Sequence, residues 1–367
     1  MQKEQITDKE AIFLLIEFII GSSLILGVGG DAKNDAWIAA IAGIIMVIPM
    51  MLIFSRLLSL FHEKDLFDIL EIALGKVMGR VVALIYIWYA FHLGALVLRN
   101  FGEFTNTVAM PETPMLVTLL CMGSVCIIGV KLGVEVLGRT TAYFLPILFF
   151  ILVIVQLLAL PLLQYNYIKP ILGNGIVPVL KGGFLAFSFP FAETVVFLGV
   201  FDSLKKPKSP FRVYFWGLLI SGITIIVTTI RNIAMLGSTL GSLKFPSYAA
   251  VSSISIGDFL QRIEVTVSVV FIFGVFVKSS ICLLVACKGI SKILKLKNYR
   301  SIVVQTGLLM IYFSFIVYDN SMEMRYWAFK VYPYYAFPMQ VILPIIIWVF
   351  AEIKVKKGKT NSNACDT

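Results

Sequence analysis

Apolar residues come in long runs, each bounded by short polar or charged stretches. Ten runs are long enough to read as membrane crossings, covering about 11–30, 36–57, 80–99, 114–130, 141–163, 181–201, 213–237, 264–287, 301–318 and 334–351. A bilayer crossing needs about 20 residues, so a chain of 367 residues has room for this number. The pattern predicts an all-α integral membrane protein, with residues 1–367 forming a single membrane domain and about 352–367 a polar tail. Composition supports it: 59% of the residues are hydrophobic and 14% are charged. A soluble domain carries about 25% charged residues. A soluble enzyme, a disordered chain and a nucleic-acid binder are therefore set aside, and the lipid bilayer is the expected surrounding.

Charge orients the spans. The net charge is +10. With the N-terminus inside, 21 of the Lys and Arg fall on inner segments and 8 on outer ones, among them Lys169, Lys244 and Arg262. Cationic loops stay on the cytoplasmic side, so both termini are expected there. Four of the five cysteines, Cys121, Cys126, Cys282 and Cys287, lie in apolar runs and Cys365 in the tail; with no C-x-x-C or metal spacing they read as reduced, buried thiols. The opening MQKEQITDKE does not have the form of a cleavable leader. Residues 65–78, DLFDILEIALGKVM, place Leu66, Ile69, Leu70, Ala73 and Val77 on one side. This stretch either lies as a helix in the inner interface or extends the third span, and Gly75 and Gly79 favour a break.

Two spans carry helix-weakening sequence near their middles. The first has Gly21-Ser22-Ser23 and the sixth has Ser188-Phe189-Pro190. Proline removes a helical hydrogen bond, and hydroxyls can satisfy freed backbone groups. The first and sixth spans lead two five-span halves, about 11–163 and 181–351, and run in opposite directions. Paired interruptions of this kind are the sequence sign of a transporter-type site in a five-plus-five inverted repeat with broken first and sixth helices. Ordinary packing kinks are the other reading, since Pro146, Pro161 and Pro344 also lie in or near spans.

Ile20-Gly21-Ser22-Ser23-Leu24-Ile25 resembles the I-G-S-G-I motif of the amino acid–polyamine–organocation superfamily, and Phe187 to Glu193 resembles its aromatic sixth helix ending in an acid. Q-I-T-D-K-E at the start, LGKVMGR at 74–80, and Q-R-I-E at 261–264 followed by Lys278 are similar to spore germination permeases, the B subunits of nutrient germinant receptors. The resemblance covers about 1–355. It implies a nutrient-sensing subunit in the spore inner membrane, acting with A-type and C-type subunits and triggered by a small molecule such as an amino acid. The alternative it leaves open is a proton-coupled amino-acid transporter. The superfamily's logic would put the ligand backbone at the ends of half-helices, where N–H groups favour a carboxylate and carbonyls an ammonium. The implied ligand-binding residues are Gly21, Ser22, Ser23, Phe187, Ser188, Phe189 and Pro190. Phe187 and Phe189 would either wall the pocket or pack toward lipid. Ser23 stands where the superfamily has a second glycine.

Ionisable residues inside spans are costly and normally face a cavity or a partner. Three stand out: Glu17, Glu193 and Lys278. The first and eighth helices are neighbours at a cation site in the superfamily fold, so the resemblance implies that Lys278 pairs with Glu17 or shares a polar cavity with it. The other reading of Lys278 is snorkelling to the interface. Arg231 reads as an interface residue, and His92 as a helix–helix contact or a proton relay. No Walker A, H-E-x-x-H or G-x-S-x-G pattern occurs. Neither catalysis nor a metal or cofactor is expected.

Overall fold

The structure is a computed structural model that describes residues 4–254 and 263–365. Gln261 and Arg262 of the Q-R-I-E motif, Lys3 and the last two residues of the tail lie outside the described residues. The chain is helical almost throughout: α1 (Asp8–Leu26), α2 (Ala36–Leu60), α3 (Leu66–Leu74), α4 (Lys76–Phe104), α5 (Met115–Leu132), α6 (Val134–Ala159), α7 (Ile176–Ala186), α8 (Ser209–Leu236), α9 (Pro246–Ser252), α10 (Glu264–Ile293), α11 (Val303–Ile316), α12 (Ser321–Tyr326), α13 (Tyr332–Phe337) and α14 (Leu343–Cys365). The last three are joined through π-helical turns into one long segment.

Eight helical segments among the described residues are long and apolar enough to cross a membrane. Two of the runs read from the sequence differ from them. The helix Val303–Ile316 has only 14 residues. The 19-residue α1 carries Asp8, Lys9, Glu10 and Glu17.

Local chemistry sets several boundaries. Thr7 begins α1 with a capping box: its hydroxyl accepts from the Glu10 N–H, and the Glu10 carboxylate accepts from the Thr7 N–H. The stretch 65–78 is not one helix. Asp65 caps α3 by accepting from the Asp68 N–H at 2.9 Å, and Gly75, at φ 83°, turns the chain into α4. The amphipathic α3 buries Leu66, Phe67, Ile69, Leu70 and Ala73.

At the centre, α1 packs against α6, α8 and α10, while α10 also packs against α4 and α5. The start of α1 lies at the end of α10, because Glu4 accepts from Arg300 at 2.7 Å and from the Tyr299 hydroxyl at 2.9 Å. The two helices therefore run antiparallel. They cross at Gly21 and Gly274, whose backbones touch. Peripheral helices turn apolar side chains outward: α6 exposes Ile147, Phe150, Val153 and Leu157 while burying Leu145, Leu148 and Leu152. Such a surface suits lipid and not water.

The expected break in the first helix is absent. α1 is a continuous α-helix through Gly21-Ser22-Ser23. The Ser23 hydroxyl donates back to the carbonyls of Ile19 at 2.6 Å and Ile20 at 3.3 Å, so it is satisfied without unwinding the helix. The space beside Gly21 is filled by α10 and not left for a ligand. The sixth span differs. After α7 the chain passes through a π-helical turn at 187–191, with Phe189 at the non-helical φ −133°, ψ 117°, and continues as a 3₁₀ helix over 192–199.

Candidate functional site

The interrupted segment 187–199 carries its polar side chains into the centre of the bundle. Glu193 follows the π turn by two residues and is 1% exposed. Lys278 of α10 is fully buried. Its ammonium is paired with Glu193 Oε2 and donates to Ser22 Oγ of α1 at 3.1 Å. It also sits 4.9 Å from the ring centres of both Phe18 and Phe189. An ion pair away from water holds only when its remaining hydrogen-bonding capacity is met. Here a hydroxyl and two aromatic faces surround the ammonium.

The carboxylate is satisfied from the other side. Tyr332 of α13 donates its hydroxyl to Glu193 Oε1. The Tyr332 and Tyr89 hydroxyls lie 3.3 Å apart, and Tyr89 accepts from Gln340 Nε2 at 3.0 Å. Gln340 also donates to the Ser188 carbonyl at 2.9 Å and accepts from Ser188 Oγ at 3.2 Å. A continuous buried polar chain thus runs Ser22–Lys278–Glu193–Tyr332–Tyr89–Gln340–Ser188. It starts on α1 and ends at the π turn, crossing α10, α13 and α4. Every member is buried, so the chain acts as a unit in a low-dielectric interior.

Glu193, Phe189 and Tyr332 also face a cavity of about 110 Å³. Its apolar walls include Leu93, Leu96, Val97 and Trp327, and the C-terminal end of α1, Leu26 and Gly27, contributes to it. A larger cavity of about 510 Å³ adjoins it and shares Leu26, Gly27, Lys244, Arg325 and Phe329. Together they form an apolar recess with a few convergent polar groups, the usual character of a small-molecule site.

The residues singled out in the sequence do not all converge here. Phe189 and Glu193 line the smaller cavity. Ser22 is one step removed, through Lys278. Gly21 is spent on the contact with Gly274, and Ser23 on its own helix. Phe187 stacks on Phe184 with ring centres 6.3 Å apart, Ser188 bonds Gln340, and Pro190 is buried. Lys278 neither snorkels nor pairs with Glu17. It pairs with Glu193, while both Glu17 carboxylate oxygens are buried without a hydrogen-bond partner among the described residues. The Lys278 ammonium is instead held by Ser22 and Phe18 of α1 together with Glu193.

Arg231 is 3% exposed, and its guanidinium donates to Asn232 Oδ1 at 2.8 and 3.2 Å. The reading of the cysteines changes in part. Cys121 is exposed, whereas Cys126, Cys282 and Cys287 are buried and free. His92 is a packed contact, stacked on Trp88 at 5.5 Å. Tyr89, Tyr332 and Gln340 had no distinguishing signal: each is a neutral polar side chain in a largely apolar stretch, and neighbouring tyrosines carry the same signal as Tyr89 and Tyr332. Among the described residues no group of three or more His, Cys, Asp or Glu is placed to hold a metal ion.

A family model described as "Spore germination protein" matches residues 5–322. Spore germination protein KB of Bacillus subtilis (strain 168) is 29% identical over 367 residues, covering 97% of each chain. Spore germination protein A2 of the same organism is 27% identical, covering 87% of each. Two solved structures share the fold. Mhp1, a nucleobase-cation-symport-1 family transporter solved with bromovinylhydantoin, superimposes with a TM-score of 0.65 at 9% identity, over 93% of this chain and 78% of the other. MhsT, solved in complex with L-phenylalanine, gives 0.62 at 13% identity, over 95% and 89%.

Proposed function

This chain belongs to the spore germination protein family, and from that premise we propose that it is the nutrient-sensing membrane subunit of a germinant receptor, binding a small molecule such as an amino acid in the recess beside Glu193. The observation that carries the reading is the double role of Glu193: it lines a mostly apolar cavity and is also the centre of a buried polar chain joining α1, α10, α13 and α4. A ligand entering the cavity would meet Phe189, Tyr332 and Glu193 directly. Any change in how Glu193 is held would alter the grip of Lys278 on α1 through Ser22. That is a route from an occupied cavity to a movement between helices.

In this reading α1 and α11 complete ten crossings, with about 11–163 and 181–351 as the two halves. Both termini lie in the cytoplasm, the membrane is the spore inner membrane, and A-type and C-type subunits receive the signal. The family and the apolar recess support a small-molecule ligand; MhsT, a fold relative, was solved with an amino acid.

The test is binding of the twenty L-amino acids to the protein in lipid nanodiscs, read by thermal shift. The expected result is stabilisation by a few ligands, lost in Glu193→Gln. No stabilisation by any of them would remove the amino-acid reading. A proton-coupled transporter is the second reading, and Glu17 favours it: a buried carboxyl without a hydrogen-bond partner among the described residues is suited to taking up and releasing a proton. Uptake of labelled ligand into proteoliposomes, driven by a proton gradient, separates the two.

A further inference from the structure

The unbroken α1 leaves a ligand without the half-helix N–H groups that a broken first helix would offer. A bound zwitterion must therefore find its charge partners elsewhere, and the recess supplies them asymmetrically. Among the described residues the two cavities are lined by the cations Lys244, Arg325 and Lys330 and by one carboxylate, Glu193. Glu193 is already engaged on both oxygens, by Lys278 and Tyr332.

Lys244 lies where the two cavities meet, since it lines both. Its ammonium donates to Glu103 Oε2 at 2.7 Å and to Ser321 Oγ at 2.9 Å, with a quarter of its side chain exposed. The same Glu103 carboxylate is shared with Arg99 at 3.1 Å, and both of those side chains are nearly buried. Two cations thus divide one carboxylate, leaving a positive excess at the cavity wall. The C-terminal end of α1, Leu26 and Gly27, also lines both cavities and has no basic residue in its last turn. That is the negative end of a 19-residue helix.

We propose that Lys244 is the carboxylate-binding residue of this recess. The ligand is an α-amino acid lying with its carboxylate at Lys244 and its ammonium toward the carbonyl end of α1. This rests on the reading of the recess as an amino-acid site and adds the polarity of binding and the residue that selects for the acid. Lys244 is suited to it because it carries the excess charge, touches both cavities and keeps partly solvated donors. Charge-assisted hydrogen bonds of this kind are about twice as strong as neutral ones.

The experiment takes the amino acid that stabilises the nanodisc protein best. It compares that ligand with its C-terminal amide and with its deaminated acid, in the unaltered protein, in Lys244→Gln and in Lys244→Arg. In the unaltered protein both analogues should bind at least about tenfold more weakly than the amino acid. In Lys244→Gln the preference for acid over amide should collapse to within about threefold, with affinity for the amide nearly unchanged. Lys244→Arg should keep most of the preference. Melting without ligand identifies a variant that has merely failed to fold, and the acid-against-amide comparison in the unaltered protein then carries the test. An amide that binds the unaltered protein as well as the acid overturns the assignment, as does a preference that survives Lys244→Gln in folded protein. A deaminated acid that binds equally well overturns the place given to the ammonium. If none of the twenty amino acids binds, the amino-acid reading of the recess falls, and this assignment with it.

Discussion

Gly21 of α1 and Gly274 of α10 meet backbone to backbone, and a methyl group at either position would run into the other's main chain. The Lys278–Glu193 pair, one turn along α10, lies between this contact and the start of α1, which is tied down at Glu4. The glycine contact sets how closely the two helices approach, and so whether Lys278 can reach Ser22. Small residues at such crossings let membrane helices pack by backbone contact, which substitutes for a hydrophobic drive that lipid does not provide.

Gly21→Ala and Gly274→Ala should therefore both destabilise. The obstacle is main chain and cannot rotate away, so the helices must separate, at a cost of about 1–3 kcal/mol for overpacking. Gly241→Ala, where an added Cβ meets nothing, should be close to neutral. Thermal unfolding of the three variants in detergent checks the order. An unaffected Gly274→Ala would mean that the two helices are not held at this distance.

Removing one partner of the buried ion pair should be costly. Lys278→Met leaves Glu193 without its cation in a dry interior, and Glu193→Gln leaves the ammonium with only Ser22 and two aromatic faces. Each should lose about 3–5 kcal/mol. The double variant should lose clearly less than the sum, because residues in direct contact couple. The cycle is measured by thermal or denaturant unfolding. The same cycle with Glu17→Gln in place of Glu193→Gln should come out nearly additive, since no hydrogen bond joins Glu17 to Lys278.

How far this site was legible in the sequence follows from what kind of signal each residue carries. Glu193 and Lys278 stood out because an ionisable group within an apolar run is expensive wherever it points. Their pairing did not, because it depends on the path of the chain after Phe189, which has no local signature. Pro190 lies in the π turn where Phe189 leaves helical geometry. Gly21-Ser22-Ser23 looked equally helix-weakening, yet α1 runs through it. A serine can bond its own helix, and a glycine can serve a crossing 253 residues away in sequence as readily as a ligand. The helical architecture was plain from run length, and Gly75 and Gly79 already favoured the split of α3 from α4, which the chain makes at Gly75 with positive φ.

The two tyrosines of the polar chain should not be equivalent. Tyr332 donates to a carboxylate, and Tyr89 joins only neutral groups. Hydrogen bonds to charged groups contribute about 1.5–3 kcal/mol and neutral ones about 0.5–1.5. Tyr332→Phe should therefore destabilise more than Tyr89→Phe, and should also weaken ligand binding, because Tyr332 lines the cavity. Unfolding midpoints and ligand-induced shifts, taken together, check both halves. An equal loss in the two variants would mean that Glu193 does not depend on the Tyr332 hydroxyl.

Asp65 gives a pH-dependent expectation outside the spans. It is 5% exposed, and burial raises its carboxyl above the ordinary carboxylate value, opposed by the charge of Lys288 and then raised further by Asp202 and Asp68. Lys292, at 3.7 Å, opposes the rise but does not cancel it. For an acid with a raised folded-state pKa, the folded state binds the proton more tightly than the unfolded chain does. That contribution is fully present below the ordinary carboxylate value of about 4 and is lost as pH rises through the folded value. Asp65→Asn keeps a cap, since asparagine accepts from the Asp68 N–H as well as aspartate does. It removes the charge that is costly at neutral pH. The variant should therefore be at least as stable as the unaltered protein at pH 7, and the gap should narrow as pH falls toward about 4. Melting curves across that range measure it. A variant that is less stable at pH 7, by a margin that shrinks on acidification, would mean instead that the ionised Asp65 is held by Lys288 and Lys292 strongly enough to outweigh its burial.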